Sequence, residues 1–278
     1  MGSGARSSDV RLGRAEGAFP TAVSANVHRA AATGFGRAAG SYERSRPDYP
    51  IEAVDRLVQE LEVSRGCSLL DLGAGTGKLT RMLVPTGARI TALEPVDPMR
   101  RTLAGTVPQA HVVGGTAEAI PATDVSFDAV VCAQAFHWFD GHRALAEVHR
   151  VLRPRGRFAL LWNFRDESVD WVRSMTEIID RHLGDTPSER TGEWRRAFSA
   201  SDLFGVLHQL RFVHRQELDE SGLVERVASV SYIAVLPPDD RRSVLDEIRE
   251  LSRSHPDLTG RERFELPYVT ELYWCTRA

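Results

Sequence analysis

The chain has 278 residues, enough for one large α/β domain or a domain carrying an elaborated cap. Its 42% hydrophobic content is that of a protein with a buried core, and a formal net charge of -3 leaves no basic surplus for gripping a nucleic-acid backbone. No apolar run approaches the ~18 residues of a membrane span and no signal-peptide core is seen, so a soluble, cytoplasmic protein without nucleic-acid or membrane partners is expected.

Residues 1–35 are rich in Ala, Gly, Ser and Arg without periodicity and read as a disordered tail. The segment SYERSRPDYP (41–50) carries Tyr42, Arg46 and Tyr49, and its prolines lead into a helix through Ile51, Val54, Leu57, Val58 and Leu61. The stretch LLDLGAGTGKLT (69–80) then combines the end of a buried strand, a turn with Gly73, Gly75 and Gly77, and the start of a helix. Such glycines let the backbone turn sharply and lie against a ligand. A P-loop would need Gly where Leu72 stands and a hydroxyl where Leu79 stands; a dinucleotide fingerprint would need Gly in place of Lys78, the one lysine of the chain.

Residues 88–93 read as a second strand ending at Glu94, where a carboxylate can accept hydrogen bonds from both hydroxyls of a ribose. A short third strand (110–113) precedes GGTAEAIP (114–121). A fourth strand, FDAVVCA (127–133), is apolar enough to be covered on both faces. It runs straight into QAFHWFD (134–140), which should wall a ligand site at the carboxyl end of the sheet. There His137 is a candidate general base, because an ordinary histidine pKa near 6.5 suits that task, or alternatively a packed, positioning side chain. Trp138 reads as pocket wall.

A helix (144–152), the turn RPRG and a fifth strand (157–162) follow. The block 165–204 has helical periodicity through Val169, Val172, Met175, Ile178 and Ile179; its Trp171, Trp194 and Phe198 fit either core or pocket. Residues 208–218 read as a strand, 220–234 and 238–254 as helices, and 263–276 as a closing strand. Cys67, Cys132 and Cys275 have neither disulfide nor zinc spacing, so free thiols and no metal are expected.

The acid-x-Gly-x-Gly-x-Gly run from Asp71 to Gly77 resembles motif I of the class I S-adenosylmethionine (SAM)-dependent methyltransferases. The spacing of Tyr42, Arg46 and Tyr49 resembles the YxxxRPxYP signature preceding it, residues 114–121 resemble the GDAExLP segment, and AxxFHWFD resembles the type 11, trans-aconitate methyltransferase-like branch. The resemblance covers about residues 40–165. It implies a Rossmann-like seven-stranded sheet, mostly parallel with an antiparallel last strand beside the fifth, helices on both faces and a helical cap. Residues 36–165 would form the SAM-binding core, 165–204 the cap, and 205–278 the C-terminal strands and helices.

The resemblance also assigns SAM contacts. Tyr42 and Arg46 would fold over the site, Arg46 being suited to a carboxylate. Asp71 would lie near the donor's amino group, with Gly73, Ala74 and Gly75 behind its methionine part, Glu94 on the ribose and Pro95 against the adenine. Thr116, Ala117 and Glu118 would read the adenine edge, although Thr116 stands where the family has an acid, and Gln134 would complete the contacts. His137, Trp138 and Trp171 would line the acceptor pocket. The implied activity is methyl transfer to a small-molecule acceptor at oxygen, hydroxyl or carboxylate; the alternatives are an inactive SAM-binding sensor or partner protein and, disfavoured by Lys78, a nicotinamide oxidoreductase. Oligomeric state is not legible.

Overall fold

A computed structural model describes residues 45–278. Tyr42 lies outside the described residues.

Ser68–Leu72 (β1) is buried at every position and pairs in parallel with both Arg89–Leu93 (β2) and Phe127–Ala133 (β4). A strand covered on both faces needs no polar alternation, and three of the five residues in SLLDL are leucine, with Ser68 and Asp71 buried beside them. Beyond β2 lies His111–Val113 (β3), and beyond β4 lies Leu152–Arg165 (β5), both parallel to their neighbours. Phe264–Thr276 (β7) enters antiparallel between β5 and His208–Leu218 (β6), giving the order β3-β2-β1-β4-β5-β7-β6. The expected seven-stranded sheet and the antiparallel strand beside the fifth are both observed. The fifth strand runs longer than 157–162 because Leu152 pairs with Phe127 and because β7 keeps pairing as far as Arg165 and Tyr268.

Period-two alternation splits the strand side chains between two cores. Leu70, Leu72, Val130, Cys132 and Leu160 face one cluster, which is closed by Gly141–Val151 (α4) and by Arg195–Ser199 (α6) with Trp194. Leu69, Ala129, Val131 and Leu161 face the other, closed by Ile51–Glu60 (α1) and Lys78–Leu83 (α2). Asp97–Thr106 (α3) covers Ala92 through Leu103. Each fully buried Leu or Val contributes about 1.5–3 kcal/mol.

A third cluster lies around the other end of the β6–β7 ribbon. Asp170–Asp180 (α5), Glu220–Ala228 (α7), Ser231–Ala234 (α8) and Pro238–Ser254 (α9) bury Val172, Met175, Leu223, Ile233, Val244 and Ile248 together with Leu266 and Tyr268. The helix expected over 220–234 is broken at Val230, which takes extended angles, while Ser229 Oγ donates to the Arg226 carbonyl. Helix α5 therefore packs with helices from the β6–β7 connection, and α6, from the same 165–204 block, packs on the first core.

Candidate active site

β1 is flanked by β2 on one side and β4 on the other, so the chain changes direction across it and leaves a crevice at the strands' carboxyl ends. The glycine turn lines the crevice, and its geometry follows from the sequence. Gly73 and Ala74 both donate to the Leu93 carbonyl at the end of β2. Gly75 has φ +60° and Gly77 φ +91°, the left-handed region where a side chain is strained. A Cβ on Gly77 would overlap Leu103, whereas one on Gly75 would meet only Met99 Cε at 4.0 Å, so Gly77 serves packing and Gly75 opens onto the cavity. Lys78 is taken up by Asp48 at 3.0 Å.

Two buried carboxylates face this cavity. Glu94 accepts from the Gly75 and Val96 N–H groups, both at 2.8 Å, one on each oxygen. Burial nevertheless pushes its pKa up to about 7. Asp71 accepts from Thr80 Oγ1 at 2.6 Å on Oδ2, while its buried Oδ1 has no partner among the described residues. Burial pushes Asp71 up to about 6. A cavity holding one carboxylate with an unpaired oxygen and another with a spare lone pair on each oxygen is built for a ligand that donates hydrogen bonds and carries positive charge.

Arg46, Asp71, Gly73, Ala74, Gly75, Glu94, Pro95, Thr116, Ala117, Glu118, Gln134 and Trp138 all line this cavity. Glu118 does so while its Oε1 accepts from the Asp140 N–H at 2.9 Å, which ties it to the end of the 136–140 turn. Gln134, a non-glycine residue at φ +56°, bends the chain out of β4 while its N–H stays bonded to the Leu161 carbonyl. Strain of this kind, of order 1–3 kcal/mol, persists where surrounding structure enforces it and is common at functional sites.

A second cavity adjoins the first, and Arg46, Gln134, Trp138, Asn163 and Arg226 line both. His137 lines the second one. Its Nδ1 accepts from Trp162 Nε1 at 3.4 Å, which leaves its proton on Nε2, 3.5 Å from Glu189 Oε2. Burial holds the ring's pKa below its ordinary value, against the pull of Glu189. Trp171 lines neither cavity. It is buried in the third cluster with its ring edge-on to Phe264, because α5 turns its apolar stripe toward α7 and α9. This corrects its expected place in the acceptor pocket.

Sequence reasoning missed Asn163, Glu189 and Arg226. Arg226 had a readable signal, an arginine on the apolar stripe of a helix beside Leu223 and Val227. Glu189 had none, since it opens a single 3-10 turn (Glu189–Thr191) whose approach to His137 is purely tertiary.

Residues 70–160 match the family model described as a methyltransferase domain. An uncharacterized methyltransferase of Mycobacterium tuberculosis is 43% identical over 88% of this chain and 94% of its own. A malonyl-[acyl-carrier protein] O-methyltransferase of Pseudescherichia vulneris is 33% identical over 60% of this chain and 69% of its own. The fold is shared with a solved structure assigned as a methyltransferase of an antibiotic biosynthesis pathway from Anabaena variabilis, at TM-score 0.60 and 20% identity over 82% of this chain and 98% of that one. The strand order defines a Rossmann-like fold, and the family model and the mycobacterial relative give the class of enzyme built on it. The chain belongs to the class I SAM-dependent methyltransferases, with SAM as cofactor. No helix among the described residues is long and apolar enough to cross a membrane.

Proposed function

We propose that the enzyme methylates an oxygen atom, hydroxyl or carboxylate, of a small-molecule acceptor held in the second cavity. The observation that carries this reading is the junction of the two cavities at Gln134, Trp138 and Asn163, which gives an acceptor a place beside the donor and argues against a protein that only senses SAM.

On this reading Glu94 takes the ribose hydroxyls on its two spare lone pairs, and the unpaired Oδ1 of Asp71 takes the amino group. Thr116, the Ala117 backbone and Glu118 lie along the adenine edge, Pro95 against its face, and Gly73, Ala74 and Gly75 behind the methionine chain. Arg46 faces the donor's carboxylate. Bound there, SAM supplies an electrophilic methyl carbon on a cationic sulfur, whose transfer demands alignment above all.

The surrounding residues supply that alignment. Trp138 and Gln134 form the wall between donor and acceptor. His137 has its basic nitrogen occupied by the Trp162 N–H and its proton turned to Glu189, an arrangement suited to positioning rather than to removing a proton. A carboxylate acceptor has no proton to lose, and this favours it over a hydroxyl. The malonyl-[acyl-carrier protein] relative is named for transfer to oxygen as well.

The test is to incubate the enzyme with methyl-labelled SAM and paired panels of hydroxy compounds and carboxylic acids. Label released as methanol by mild base marks a methyl ester; base-stable label on a hydroxy compound marks an ether. Label confined to amines, or to protein or nucleic acid alone, would refute the proposal.

A further inference from the structure

We propose that the acceptor is an organic carboxylate and that Arg226 is the residue that recognises it. The inference deepens the proposed reaction and rests on the second cavity being the acceptor's.

Arg226 is 5% exposed, on the apolar stripe of α7. Its Nε donates to Tyr268 Oη at 3.0 Å. Tyr268 Oη in turn donates to Gln216 Oε1 at 3.2 Å, and Gln216 Nε2 donates to the Ser45 carbonyl at 2.9 Å, so the guanidinium is braced from behind by β6 and β7. Nη1 and Nη2 have no hydrogen-bond or carboxylate partner among the described residues, yet the residue lines both cavities. A buried guanidinium normally has its charge matched, because desolvating it unmatched is costly. With Nε tied to Tyr268, the Nη pair is the part of Arg226 left to meet a ligand at the cavity junction it lines.

The neighbouring charges do not supply the match. The second cavity is lined by Arg46, Arg165, Arg190 and Arg226 against Asp180 and Glu189. Arg190 engages Asp180 and also Glu167, and Arg165 lies 3.9 Å from Asp180 with its Nε on Thr176. Glu189 faces His137. Arg190 and Arg165 thus share Asp180 and Glu167, whereas no carboxylate pairs with Arg226 among the described residues; an incoming anion would supply that match, and two parallel N–H groups of one guanidinium fit the planar carboxylate best. Arg46 stands at the same junction, with Nη2 on the Ser229 carbonyl, and serves the donor's own carboxylate, leaving Arg226 for the acceptor.

The experiment is calorimetric titration of the full chain saturated with S-adenosylhomocysteine, using malonate, succinate and benzoate, their methyl esters, and inorganic phosphate. At least one carboxylate should bind tenfold or more tightly than its ester. Arg226→Met should weaken that binding at least tenfold while S-adenosylhomocysteine affinity stays within twofold. Arg226→Lys, which keeps the charge but loses the fork, should weaken it severalfold, and it decides the matter if the methionine variant does not fold. Esters binding as well as acids, phosphate binding where no carboxylate does, no anion binding at all, or carboxylate affinity unchanged in both variants would each overturn the proposal. Equal loss of S-adenosylhomocysteine would reassign Arg226 to the donor. Because binding is read without turnover, an enzyme that methylates nitrogen would fail the ester assay and leave this result standing.

Discussion

Replacing Glu94 by Gln perturbs one atom of the donor site and has a magnitude that can be worked from its contacts. Each Glu94 oxygen accepts one backbone N–H, from Gly75 or from Val96. Gln offers one oxygen, so one of these buried donors would face an NH2 group, at a cost of about 1–3 kcal/mol to the turn. The ribose would also lose one charge-assisted hydrogen bond, worth about 1.5–3 kcal/mol. S-adenosylhomocysteine should then bind about 10- to 100-fold more weakly in a calorimetric titration at pH 8. A second readout uses pH. The carboxyl titrates near 4.5 when unfolded and at about 7 in the fold, so between those values the folded protein holds a proton that the unfolded chain has released. By linkage the ligand-free protein loses stability as pH rises through that window, by an amount on the order of 3 kcal/mol. Asp71 adds a loss of the same sign between 3.8 and about 6. The Gln variant should show a flatter melting-temperature profile from pH 5 to pH 8. Affinity within twofold of wild type would refute the ribose assignment, and an unchanged pH profile would refute the account of Glu94 burial.

Gly75→Ala and Gly77→Ala should separate binding from folding. The first, at φ +60° with open space around it, should cost about 1 kcal/mol in thermal unfolding yet sharply reduce S-adenosylhomocysteine binding; the second, at φ +91° against Leu103, should cost about 2–4 kcal/mol. Trp171→Ala should cost about 3–5 kcal/mol in denaturant unfolding, and Trp171→Phe should leave both KM values unchanged; a raised acceptor KM would return Trp171 to the pocket. His137→Gln should retain kcat within about tenfold, since a removed general base typically costs 10²–10⁴. A hundredfold loss with intact donor affinity would restore the base role.

The donor half of the molecule was legible because its determinants are local. An apolar strand, three glycines and an acid at the next strand end are neighbours in sequence and stay neighbours in space. β6 and α9 were also readable to the residue from period and breakers, since 208–218 and 238–254 match His208–Leu218 and Pro238–Ser254. The acceptor side was not. Trp171 has the same helical spacing whether its stripe meets a pocket or α9, and only the tertiary packing decides. Glu118 was read from its motif, which holds no sign that one of its oxygens accepts from the Asp140 N–H 22 positions away. Arg226 owes its role to Tyr268 on a strand 42 positions later. His137 was placed beside the site by its motif, yet its tautomer depends on Trp162 and Glu189, which no motif contains.

The antiparallel insertion of β7 has a consequence for how the chain reaches this structure. Asn163 and Thr270, joined by a 2.6 Å hydrogen bond, are 107 positions apart, and β5 has no sheet neighbour on that side until β7 arrives. Until then FALLWNF, within β5, is an apolar strand with an unpaired edge, the kind of surface on which chains add to one another. Loop-closure entropy makes so distant a pairing slow. Aggregation during refolding should therefore originate at β5, and a protein cut after β6 should precipitate although the donor half of its sheet is complete.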